Sequence, residues 1–142
     1  MLVNVRAHVN ITTLVTPHLI KSKGNIINIS SLAGTIAPEK PPMTPYHISK
    51  AALGHFTRCA AIELAKYGVR VNTISPGPVK TDLMENAGIG HRKIEDMAKG
   101  LPLQRISEAS EIADIIAFLA SDKAVGITGS EMFVDNGYLL KH

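Results

Sequence analysis

Tyr46 and Lys50, in the run Tyr46-His47-Ile48-Ser49-Lys50, are the residues of this chain whose types and spacing best suit chemistry. Residues four apart on a helix stand one above the other on one face, so a helix here would set a phenol beside an ammonium. A free tyrosine, with a pKa of about 10, is a poor base at neutral pH. A neighbouring positive charge favours the phenolate and brings such a group towards the range in which it can give or take a proton. Taken alone the spacing is cheap, because an exposed helical pair with no function has the same pattern.

Two further groups join the pair. Ser31 closes the β-branched run at residues 25–31, where a hydroxyl at a strand tip could hydrogen-bond a substrate oxygen. Pro76-Gly77-Pro78-Val79-Lys80-Thr81 follows a second such run, with Gly77 permitting close backbone approach to a ligand.

The elements that must position these residues can be read from apolar periodicity. Val5, Val9, Leu14 and Leu19 mark a helix over residues 3–20, with Pro17 in its later part and Gly24 as its stop. Residues 25–31 form a buried strand, and the proline-rich stretch 38–45 a loop. Thr44 caps a helix whose first position is Pro45 and whose apolar residues include Leu53, Phe56, Ile62 and Leu64; it runs to about Tyr67, before Gly68. A strand at 69–74 ends at Ser75-Pro76. Residues 82–106 are loop-like, with a short helix near 92–99. Ser107 caps a helix with Ile112, Ile115, Ile116 and Leu119 on one stripe, and residues 131–134 form the last strand. Alternating helices and strands predict a parallel sheet with right-handed crossovers, whose ligands gather beyond the carboxyl ends of the strands. Ser31, Pro76 and Gly77 fall at those ends.

Six motifs in this order resemble the short-chain dehydrogenase/reductase family. They are Val3-Asn4-Val5, the Asn28-Ile29-Ser30-Ser31 strand end, the Tyr46/Lys50 pair, residues 62–81 (IELAKYGVRVNTISPGPVKT), Leu101-Pro102-Leu103-Gln104-Arg105, and the pair EIADIIAFLAS and ITGSEMFVDNG near the end. The resemblance covers nearly the whole chain and is similar in general to the acyl-carrier-protein ketoreductases and related reductases. It implies an α/β fold: part of a Rossmann-like, doubly wound parallel sheet of three C-terminal strands with flanking helices, forming one partial domain over residues 1–142. It also implies an NAD(P)-dependent oxidoreductase interconverting a secondary alcohol and a ketone by hydride transfer. Tyr46 would be the proton donor and acceptor. Lys50 would assist it and hold the nicotinamide ribose. Ser31 would orient the substrate oxygen, and Asn4 would hold a water linking Lys50 to solvent. Tyr46, Lys50, Pro76, Gly77, Val79 and Thr81 would line the cofactor, NAD or NADP. The region 85–99 would be a lid over a small carbonyl or alcohol substrate, and the full-length form would be a homo-oligomer.

The family's glycine-rich turn, its cofactor-selecting residue and its NNAG segment have no counterpart in these residues, a shortfall of about 100 residues from a domain of about 250. The expectation is therefore a C-terminal half, with a former central strand left as an apolar edge. The rival reading is a catalytically inactive chain that serves as an oligomer partner, or an incomplete gene model. Asp135-Asn136-Gly137 stands where the family commonly has Asp-Gly-Gly, a turn change expected to be harmless.

Composition narrows the remaining classes. Hydrophobic residues at 45% and charged residues at 19% suit a packed core rather than disorder. A formal charge of +3 spread over scattered basic residues argues against a nucleic-acid partner. The histidines show no metal-ligand spacing, so no metal is expected. The one cysteine, Cys59, cannot form an internal disulfide and reads as a small buried apolar residue. No run is long enough to span a membrane. The basic, acid-free start has the cast of a mitochondrial leader, but its helical pattern runs straight into a strand, which favours a folded segment; the expected compartment is the cytoplasm, with mitochondrion or peroxisome as alternatives.

Overall fold

The computed structural model describes residues 1–37, 43–86 and 91–141. The proline-rich loop expected at 38–45 therefore falls largely outside the described residues. Three strands, β1 (Asn25–Ile29), β2 (Arg70–Pro76) and β3 (Glu131–Val134), form one sheet in the order β1-β2-β3. Both pairings are parallel: Ile27 lies opposite Asn72, and Ser75 opposite Phe133. Among the described residues the α-helices are α1 (His8–Ser22), α2 (Thr44–Ala65), α3 (Asp82–Asn86), α4 (His91–Gly100) and α5 (Ala109–Ala120).

The sheet is covered on both faces, which is why β2 is a continuous buried run rather than an alternating one. On one side Val71 packs with Ala60, Ala61 and Leu64 of α2, joined by Leu19 and Ile20 of α1 and Ile26 of β1. On the other, Ile74 packs with Ile112 and Leu119 of α5, together with Ile27 and Met132. Adjacent strand residues point to opposite faces, so Ile26 and Ile27 serve different layers. Each fully buried aliphatic side chain contributes about 1.5–3 kcal/mol. The sheet is thereby fixed between its helices and its carboxyl edge is held in place.

Several local expectations need correction. The chain opens with a π-helical turn, Leu2–Ala7, before α1 begins at His8. The left-handed residue that ends α1 is Lys23 (φ 50°), not Gly24. Gly24 is close-set, because a Cβ there would lie 2.8 Å from Leu19 Cδ2 and that side chain would have to shift. Thr44 does not cap α2: it is the first helical residue and follows Met43, with Pro45 in the first turn. Ser107 does not cap α5 either. Glu108 does, in a reciprocal box with Glu111. β1 stops at Ile29, so Ser31 lies past the strand. Leu14 and Ile62, assigned to apolar faces, are 74% and 80% exposed. Cys59 is exposed, not buried.

Candidate active site

The carboxyl end of β1 leads through Ser30 into Ser31, which is extended (φ −167°, ψ 158°) and caps a short 3₁₀ turn, Leu32–Gly34. The Ser31 hydroxyl oxygen accepts from the Ala33 amide at 3.2 Å. A hydroxyl that accepts in this way still carries its own proton to donate.

Tyr46 and Lys50 lie in the first turns of α2, and Lys50 Nζ stands 5.7 Å from the centre of the Tyr46 ring. The ammonium donates to the Ile29 carbonyl at 3.0 Å, so the lysine reaches back to the end of β1. Lys50 is half-buried, and loss of water around the ammonium lowers its pKa from the ordinary lysine value. His47, the next residue after Tyr46, sets its ring edge-on to the phenol at 6.2 Å and shares a 2.7 Å hydrogen bond with the Ile36 carbonyl.

Asn4 sits in the π-helical turn and also approaches α2. Its Nδ2 donates to Ser49 Oγ at 3.1 Å, and that hydroxyl donates to the Tyr46 carbonyl at 2.7 Å. The Asn4 side chain is thus engaged with the helix that carries Tyr46 and Lys50.

The opposite wall is built at the end of β2. The Gly77 amide continues the ladder to the Val134 carbonyl at 2.9 Å. A Cβ on Gly77 would lie 2.9 Å from Asp135 Cα, so the close approach that requires glycine here is to the chain's own backbone. Residues 78–80 then pair with Ser107: its amide donates to the Pro78 carbonyl, and its carbonyl accepts from the Lys80 amide. Parallel pairing through those flanking groups turns the amide and carbonyl of Val79 to the other side of the strip. Thr81 follows, exposed, while Lys80 is ion-paired with Glu108.

Ser31, Tyr46, Lys50, Pro76, Gly77 and Val79 therefore gather at the carboxyl edge of adjacent strands. Sequence reasoning gave no role to Ser30 and Ser49 and read Ser107 only as a cap and Asn136 only as a turn residue; all four are buried and in long-range hydrogen bonds. The adjacency of Ser30 to Ser31 and of Ser49 to Lys50 was the only local signal for the first two. Among the described residues, no group of His, Cys, Asp and Glu is arranged to hold a metal, and no helix is long and apolar enough to cross a membrane.

A family model described as "Enoyl-(Acyl carrier protein) reductase" matches residues 1–139. The fold is also that of a Caenorhabditis elegans short-chain dehydrogenase/reductase of unknown function solved with cofactor. That structure superposes with a TM-score of 0.89 at 36% identity, covering 96% of this chain and 53% of that one. The chain belongs to the short-chain dehydrogenase/reductase family. Among its relatives are oxidoreductase UcpA of Salmonella typhimurium, 37% identical over 97% of this chain and 55% of the relative, and a D-arabinitol 2-dehydrogenase (ribulose-forming) of Candida tropicalis, 41% identical over 81% of this chain and 42% of the relative. A 4-hydroxyisoleucine dehydrogenase solved with NADH superposes at a TM-score of 0.86 and 34% identity, covering 97% of this chain and 57% of that one. The chain spans about half the length of the curated relatives it matches. It is an oxidoreductase-family chain with a partial Rossmann-like fold, and the 4-hydroxyisoleucine dehydrogenase among its solved neighbours holds NADH.

The residues present fit one end of such a cofactor. A half-buried ammonium, a phenol and a backbone amide and carbonyl turned outward from the Val79 strip form a donor set suited to a ribose and a carboxamide.

Proposed function

We propose that this chain carries the acid–base half of an NAD(P)-dependent oxidoreductase that interconverts a secondary alcohol and a ketone, as the C-terminal part of a single Rossmann-like domain. The observation that carries the reading is the Lys50 ammonium, half-buried, anchored to the Ile29 carbonyl and 5.7 Å from the Tyr46 ring centre.

The bound nicotinamide supplies or accepts the hydride, and the protein's own residues handle the proton and the position of the reacting oxygen. Tyr46 gives its phenolic proton to the carbonyl oxygen during reduction and takes the hydroxyl proton during oxidation. As the phenol gives up its proton, the Lys50 ammonium faces the negative charge left behind. Ser31 donates to the substrate oxygen and offsets the charge that gathers there. Lys50 would also hold the ribose hydroxyls, while Val79, Thr81, Pro76 and Gly77 would line the carboxamide side. Asn4 would link Lys50 to solvent through a water, from a turn that its side chain ties to α2. The D-arabinitol and 4-hydroxyisoleucine relatives, named as dehydrogenases of hydroxylated small molecules, support a small alcohol or ketone as substrate.

Fluorescence titration with NADH and NADPH, followed by turnover assays on a panel of secondary alcohols and ketones, tests this reading. Tyr46→Phe is expected to lower kcat at least about 100-fold. A variant within a few-fold of the parent removes Tyr46 as the proton donor.

A further inference from the structure

Lys50 is tied to one strand tip at both of its ends. Its ammonium donates to the Ile29 carbonyl at 3.0 Å, and its backbone carbonyl accepts the Ser30 hydroxyl, also at 3.0 Å. Ser30 is itself buried, and its amide donates to the Ile74 carbonyl at 2.8 Å, which fixes it to β2. Gly34 presses on the same point: a Cβ there would lie 2.9 Å from the Lys50 carbonyl carbon and 3.0 Å from the Ala51 amide nitrogen. Both neighbours are backbone, which cannot rotate aside as the end of a side chain can.

We propose that Ser30 and Gly34 form a positioning clamp that sets the separation between the Ser31 hydroxyl and the Tyr46/Lys50 turn of α2. The inference rests on the acid–base reading of Tyr46 given above. The Lys50 carbonyl lies inside α2, where the helical ladder already offers it a partner. The Ser30 bond is therefore not needed to satisfy a bare acceptor, and its effect is to hold α2 against the end of β1. Ser31 follows Ser30 directly in an extended conformation, so any movement of Ser30 against Lys50 passes to the Ser31 hydroxyl. A misplacement of about 1 Å between reacting groups can cost about a hundredfold in rate. Ser30 touches no reacting atom, and its role is to position those that do. The half-burial of Lys50, with its lowered pKa, depends on the same close seat.

The test compares Ser30→Ala, Ser30→Thr and Gly34→Ala in the purified chain, with the Lys50 side chain titrated by NMR of isotopically labelled lysine. Ser30→Ala should move the Lys50 titration upward, towards the ordinary lysine value, as the ammonium regains water. Ser30→Thr, which keeps the hydroxyl, should restore the parent curve. In turnover assays Ser30→Ala should lower kcat about tenfold with KM little changed, and Gly34→Ala should act in the same direction. A Lys50 titration in Ser30→Ala that superimposes on the parent overturns the clamp. The titration needs no turnover, so it judges the clamp even where Tyr46→Phe keeps full activity and the acid–base reading itself falls.

Discussion

Asn4 and Ser49, 45 positions apart, are joined by a 3.1 Å hydrogen bond that links the π-helical turn at the chain start to the helix carrying Tyr46. Ser49 is 1% exposed, and its hydroxyl passes the connection on to the Tyr46 carbonyl. π-helical turns in otherwise α-helical segments are frequent at functional sites, and here the widened turn presents Asn4 to α2.

This bond predicts a coupled pair. Asn4→Ala and Ser49→Ala should each lower unfolding free energy by about 1 kcal/mol, because the first removes a partner from the buried Ser49 hydroxyl and the second from the part-buried Asn4 amide. The double variant should cost less than the sum of the two, with a coupling of about 0.5 kcal/mol or more by urea denaturation. Strict additivity would contradict the contact.

Asn136 makes a second long-range tie, from the turn where the family commonly has glycine. It holds a left-handed conformation (φ 52°), is buried, and donates from Nδ2 to Ser107 Oγ at 2.9 Å. Asn136→Ala loses the bond and strains the backbone, and should destabilise the fold by about 2 kcal/mol or more. Asn136→Gly keeps the backbone freedom and loses only the bond, so it should fall between parent and Ala in midpoint denaturant concentration. An Ala variant as stable as the parent would show that the bond contributes nothing.

Acid stability should depend on the start of α5. Arg105 binds Glu111 through both guanidinium nitrogens, at 2.7 and 2.6 Å. That pairing first, and then the Glu108 amide, depresses the Glu111 pKa from 4.5 to about 2. A carboxyl depressed in the folded state stabilises it fully above about pH 4.5; the contribution fades as pH falls towards 2 and is gone below. Glu111→Gln should therefore lower the melting temperature at pH 7 by a few degrees, and the gap between the two proteins should close between about pH 4.5 and 2. Parallel melting curves across that window would argue against the pair as a source of stability.

The elements were legible in sequence wherever a period or a boundary residue was strong. β3 falls where Gly129 and the Asp135-Asn136-Gly137 turn bracket it, and the parallel order follows from alternating helices and strands. Caps were less legible. Thr44 and Ser107 have the right side chains, but the helices start one residue earlier and one residue later than those positions suggest. Glu108 completes its box through Glu111, and Ser107 is taken up by Asn136. The Tyr46/Lys50 pair stood out because its spacing is local. Ser30, Ser49 and Asn136 did not, because each acts on a partner 20 or more positions away, and no pattern along the chain records such a bond. Cys59 and Ile62 were placed inward on hydrophobicity alone, while the sheet takes up only the α2 face that bears Ala60, Ala61 and Leu64.

The bridge between Val79 and Ser107 has a consequence for how this architecture can diverge. The chain departs from the end of β2 after Lys80 and returns to it at Ser107, so the excursion between them begins and ends at one clasp. Closing a flexible loop costs only about 0.6 kcal/mol more for each doubling of its length. Selection can therefore lengthen, trim or rewrite that excursion while the strand end and the helix that carries Tyr46 keep their places.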